Sequence, residues 1–136
     1  MGFAKYGRAP GESLGAQLLI FDLEPAETPE QFLALIKQAI EQDTDPKRFH
    51  ILESSTDYTS ERGYPCVRHH AVANDKQARA SATTREQLVL EWHGLYCRHP
   101  VRMDRGFAAI YSHRGRGKYQ GLRAEAEEFI SGIQVP

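Results

Sequence analysis

No stretch of this sequence approaches the roughly 20 consecutive apolar residues that a membrane-crossing helix needs, which excludes a helical bilayer span. The apolar core of a secretory signal is also missing between Met1 and Ala16, so the chain reads either as cytoplasmic or as an exported protein in trimmed, mature form. Charge of one sign is absent too. The 17 Lys and Arg nearly cancel the 18 Asp and Glu, and that balance excludes the global basic field of a dedicated nucleic-acid binder. Internal repeats and low-complexity tracts are lacking.

What remains is ordinary globular composition, 40% hydrophobic and 26% charged over 136 residues, enough for one real core and too little for two. Residues 1–15, polar and glycine-containing, read as a flexible leader, which leaves 16–136 as a single domain. Within it, the apolar run Leu18-Leu19-Ile20-Phe21 predicts a buried strand over Gln17–Leu23, ended by Pro25. Thr28-Pro29-Glu30-Gln31 combines an N-cap hydroxyl, a proline at the first helical position and a side chain able to reach back to the cap. A helix over Thr28–Gln42 follows, with Phe32, Leu33, Ile36, Ala39 and Ile40 on one stripe. The period then shortens, predicting strands at Phe49–Thr56, Cys66–Asn74, Gln87–Cys97 and Phe107–Ser112, consecutive and therefore most simply antiparallel. A closing amphipathic helix runs from Leu122 to Ile133. The fold class expected is α+β: an antiparallel sheet with one helix from the N-terminal half and one C-terminal helix packed on it as an α/β/α sandwich.

The two cysteines can be a disulfide, part of a metal site or unrelated thiols. If Cys66–Asn74 and Gln87–Cys97 form a hairpin, the register that sets Cys66 opposite Cys97 allows a cross-strand bridge, because opposed residues lie about 4.5–5.5 Å apart. That register also sorts side chains, with Val67, Ala71, Ala73, Leu90, Trp92 and Tyr96 on an inward face and Arg68, His70, Glu91 and His93 on a wet one. The connection from Asp75 to Glu86 is long for a hairpin.

Catalytic motifs are weak. Gly11-Glu12-Ser13-Leu14-Gly15 matches the nucleophile-elbow spacing but precedes a strand where that motif requires a helix. Gly115-Arg116-Gly117-Lys118-Tyr119-Gln120-Gly121 stands between a strand and a helix, yet its glycines are misspaced for a dinucleotide loop. Ser54, Ser55 and Asp57 have no triad spacing, and His69, set opposite Gly94, reads as a structural histidine. His70, Glu91 and His93 fall on one face of the proposed hairpin and are chemically adequate for zinc, though surface histidines are more often merely solvated. Charge is uneven along the chain: acids dominate Asp22–Asp45, while Arg98, Arg102, Arg105, Arg114, Arg116 and Lys118 are met within their span only by Asp104. Clustered in space, these cations would suit an anionic polymer, head group or acidic partner.

The element order and the ending Leu122-Arg123-Ala124-Glu125-Ala126-Glu127-Glu128-Phe129-Ile130-Ser131-Gly132-Ile133 resemble PsbP/Mog1/DcrB-type domains. The segments Tyr64-Pro65-Cys66-Val67-Arg68-His69-His70 and Gly94-Leu95-Tyr96-Cys97-Arg98-His99-Pro100 resemble those of small uncharacterised bacterial lipoproteins. The resemblance implies a non-enzymatic periplasmic or outer-membrane accessory module without a cofactor, binding a protein or an anionic envelope component and no specific nucleic acid. Its lipid-bearing cysteine would lie outside this sequence. Two alternatives stand beside it: a small metal-dependent or hydrolytic enzyme using His70, Glu91 and His93, and a cytoplasmic protein-interaction domain with free thiols.

Overall fold

Apolar runs and alternating apolar and polar positions favour extended backbone, and the computed structural model, which describes residues 2–6, 12–79 and 87–135, shows six strands with two helices. In chain order these are β1 (Gly2–Tyr6), β2 (Ser13–Asp22), α1 (Pro29–Asp43), β3 (Phe49–Thr59), β4 (Cys66–Arg79), β5 (Gln87–Arg98), β6 (Arg105–Gly115) and α2 (Leu122–Ser131). All strands pair antiparallel in one sheet of order β1-β2-β6-β5-β4-β3, so the α+β expectation holds.

The expected strands are present but longer. Backbone pairing sets their length, since Ser13 already opposes Arg114 and β2 therefore starts ahead of its apolar run. The leader is corrected in part: Gly2–Tyr6 pairs with Ser13–Gln17 as an edge strand, while residues 7–11 lie outside the described residues. The supposed loop from Asp75 to Glu86 shrinks because β4 runs on to Arg79, paired with Gln87 after a register shift; residues 80–86 are outside the described residues.

Thr28 caps α1 as its sequence predicts: its hydroxyl accepts from the Gln31 N–H at 3.1 Å, and the Gln31 side chain accepts from the Glu27 N–H at 2.7 Å. Phe32 and Ile36 are the buried stripe of α1 and pack on Val67, with Phe21, Tyr58 and Tyr96 around them. Phe32 meets Tyr58 edge to face at 6.2 Å, and the buried Arg98 guanidinium lies 5.6 Å over the Phe32 ring.

On the opposite face, α2 lays Ile130 on Cys66, Leu95, Cys97 and Ala109. Here one expectation is wrong. The face carrying His70, Glu91 and His93 is covered by α2, and the Glu91 side chain is only 11% exposed. The residues expected to be inward form the other core, beneath α1, so each helix shields one face of the sheet.

The last turn of α2 contains no basic residue. The turn between β3 and β4 supplies one instead: Arg62 donates to the carbonyls of Ile130 (3.2 Å) and Ile133, and to the Tyr64 hydroxyl at 2.9 Å. Cationic donors at a helix C-terminus satisfy orphan carbonyls and complement its dipole. Replacing Arg62 with Ala is expected to destabilise the protein by about 1–3 kcal/mol in chemical denaturation; an unchanged midpoint would show that water serves those carbonyls equally well.

Candidate functional site

The helix α1 has 15 residues, about 22 Å at 1.5 Å per residue, and it covers only part of a six-stranded sheet. Beyond it, side chains that alternate onto the same face are left half-buried. They form the floor of a cleft of about 510 Å³, with Leu19 of β2, Trp92 and Tyr96 of β5 and Ile110 of β6 as its main apolar surfaces. Ile40 and Thr44 of the α1 end and Phe49 of β3 form one wall, and Asp43 is the carboxylate on that wall. Burial, helped by the charge of Asp43, pushes the Tyr96 phenol up to about 12, so its hydroxyl stays protonated at any physiological pH.

Arg114 closes one end of the cleft. Behind it lies Asp75, whose side chain is wholly buried and held by Arg48 through two hydrogen bonds, Nε–Oδ1 at 3.1 Å and Nη2–Oδ2 at 3.0 Å. Arg114 Nη2 approaches the same carboxylate at 3.3 Å, and the Gln77 N–H donates to it at 3.1 Å. Burial raises the Asp75 pKa, but the Arg48 hydrogen bonds, the Gln77 N–H and the two guanidinium charges outweigh it, leaving the carboxyl below its ordinary value. Among the described residues the Arg114 Nε–H is buried without an acceptor.

The sheet's other face brings His70, Glu91 and His93 together. Cys66 and Cys97 oppose each other with Cα atoms 4.0 Å apart, the spacing of the closer, non-hydrogen-bonded class of antiparallel pair. Counting by twos, His70 opposite His93 belongs to that class, and the two rings stack with centroids 4.4 Å apart. Glu91 lies diagonally across, its Oε2 2.7 Å from His70 Nε2 and 4.0 Å from His93 Nε2. Burial and the neighbouring His70 hold His93 below the usual imidazole pKa against the pull of Glu91.

The basic residues do not make one patch. Arg98, Arg102 and Arg105 lie at the start of β6 and Arg114, Arg116 and Lys118 at its end, about 30 Å away at 3.3 Å per strand residue. Most are also engaged: Arg98 donates to the carbonyls of Glu24 and Met103, Arg105 pairs with Asp22, Lys118 with Glu53, and Arg114 with Asp75. The six cations are therefore divided between the two ends of β6, most of them in separate local contacts.

Ser13 opens a strand rather than an elbow. Ser55 sits opposite His70, yet among the described residues no hydrogen bond joins them, and Ser54 alternates to the other face, so no triad forms. His69 is buried beside Trp92 and Tyr96, with Nδ1 3.0 Å from the Thr56 hydroxyl and Nε2 without a hydrogen-bond partner among the described residues. Gly94 makes room for Tyr96 rather than for His69, since a Cβ there would stand 2.9 Å from the Tyr96 ring.

Neither the cleft nor the Arg48–Asp75–Arg114 group was expected from the sequence. Trp92 and Tyr96 sit on a face patterned like core, and only the shortness of α1 against the number of strands signals that the face is left partly open. Because the folded pKa of Asp75 is depressed, its contribution to stability is present above the ordinary carboxylate range and is lost as pH falls through the folded value. Asp75→Asn is expected to cost up to about 3 kcal/mol at pH 7, the low end for a broken buried pair because both guanidiniums are partly open to water. The difference from the parent protein should shrink below pH 4, and a pH-independent difference in denaturation midpoints would contradict this assignment. Compared with protein-family models, with curated proteins and with solved structures, the chain matches none.

Proposed function

We propose that this protein is a non-enzymatic, exported binding module whose cleft holds a small amphipathic ligand, an apolar body ending in a carboxylate. The observation that carries the reading is the junction of a half-buried floor, Trp92, Tyr96 and Ile110, with the partly exposed Arg114 side chain at the cleft's end. Pockets of about 300–1,000 Å³ with mostly apolar walls and a few placed polar groups suit ligands of this size. An anionic oxygen in the cleft would meet the Arg114 guanidinium, whose side chain is partly open to solvent and lines the cleft, in a charge-assisted hydrogen bond.

The Cys66–Cys97 disulfide supports export over a cytoplasmic interaction domain, because such bonds persist in oxidising compartments. No helix among the described residues is long and apolar enough to cross a membrane. On this reading the protein acts in the periplasm or at the outer membrane, and the resemblance to PsbP/Mog1-type domains is one of element order.

Trp92 is the only tryptophan and lines the cleft, so it reports occupancy directly. Titration with decanoate is expected to shift its emission saturably, with decanol binding more weakly. Arg114→Gln should reduce decanoate affinity by about tenfold, the worth of one charge-assisted hydrogen bond, while leaving decanol unchanged. No change in Trp92 emission, or equal decanoate affinity in the variant, would overturn the proposal.

A further inference from the structure

The cleft uses one face of the sheet; the other carries a buried carboxylate that lacks the partners given to Asp75. Asp75 is met by two guanidiniums, whereas the charged-group contacts of Glu91 are two imidazoles, His70 and His93. The three side chains are 22%, 11% and 13% exposed for His70, Glu91 and His93. A carboxylate this deep requires a compensating positive charge or a set of hydrogen-bond donors. Neutral imidazoles supply at most a hydrogen bond each, and among the described residues no Lys or Arg side chain forms an ion pair with Glu91, Arg123 of α2 standing beside the histidines instead.

From this arrangement we propose that His70, Glu91 and His93 form a binding site for one divalent late-transition-metal ion, of which zinc is the representative, held between the sheet and α2. Two nitrogens and one carboxylate oxygen are a common zinc donor set. One ligand atom from each residue lies within 4.8 Å of the others. Bonds of about 2.0–2.1 Å in a tetrahedral site place donor atoms about 3.3 Å apart. The His70–Glu91 and His93–Glu91 separations of 2.7 and 4.0 Å bracket that spacing. An ion therefore needs the carboxylate to draw back from His70 and the two stacked rings to turn so that both nitrogens point at it, replacing the proton shared between His70 and Glu91. A cavity of about 150 Å³, bordered by both histidines and by Arg123 and Glu127 of α2, adjoins the histidine pair.

The backbone presets the site. The Cys66–Cys97 bridge pins β4 to β5 four residues along the same face, so the histidine pair cannot slip out of register without breaking a covalent bond. The metal would thus sit on rigid strands, independent of the cleft on the opposite face.

The test uses tag-free protein stripped of metal by a chelator and titrated with zinc against a chromophoric competitor. One zinc per chain with micromolar or tighter Kd is expected. His70→Asn and Glu91→Gln should each weaken binding by at least about tenfold, as loss of a ligand must exceed the smaller effects known for outer contacts. His50→Asn, at an exposed position away from the site, should bind zinc as the parent does. Should a site variant fail to fold, imidazole nitrogen resonances of the unmodified protein decide: zinc-induced shifts at His70 and His93 support the site. Absence of stoichiometric binding, equal weakening by His50→Asn, or shifts confined to other histidines would overturn it.

Discussion

The alignment of β4 against β5, with Cys66 bonded to Cys97, is the constraint from which the rest of the structure follows. Strand side chains alternate faces with period two, so this one alignment decides which residues lie beneath α1 and which beneath α2. A slip by a single residue would send Trp92 and Tyr96 to the α2 side and bring Glu91 and His93 under α1. The bridge links residues 31 apart, and the central strands it joins then template β3 on one side and β6 and β2 on the other. Closing a loop of that size restricts the unfolded chain by about 3–4 kcal/mol in the chain-entropy picture.

Two unlike faces result. Beneath α1, aromatic and aliphatic groups outnumber what one short helix can cover, and the excess becomes a cleft with a guanidinium at its end. Beneath α2, polar groups outnumber what an apolar helix stripe would choose, and they concentrate where Leu122, Ala126 and Ile130 leave the histidine pair to Arg123 and Glu127. Charged groups are buried on both faces, but with different compensation: Asp75 by fixed cations, Glu91 by groups able to exchange a proton for a metal ion. Fixed cations stabilise the fold, whereas exchangeable partners suit a ligand site.

Much of this was legible in the residues. Thr28, Pro29 and Gln31 announced the start of α1 because capping is local, and the Cys66–Cys97 register followed from spacing plus the sorting of apolar side chains. What escaped was decided by tertiary coverage. His70 and His93 read as solvated because nothing in β4 or β5 shows that α2 folds over them. Arg98, Arg105 and Arg114 read as a patch because they are near in sequence, although an extended strand separates near neighbours more than any other element does. The partnership of Arg48 with Asp75, and of Arg62 with the end of α2, joins residues 27 and 68 or more apart, and no local pattern marks either.

Titration of thiols in denaturant without reductant tests this register most directly. The account predicts none in the native protein as purified and both cysteines reactive once a reductant is added. Two reactive thiols before reduction would show that Cys66 and Cys97 are not joined, removing the covalent restraint on the β4–β5 alignment and the support for an oxidising compartment.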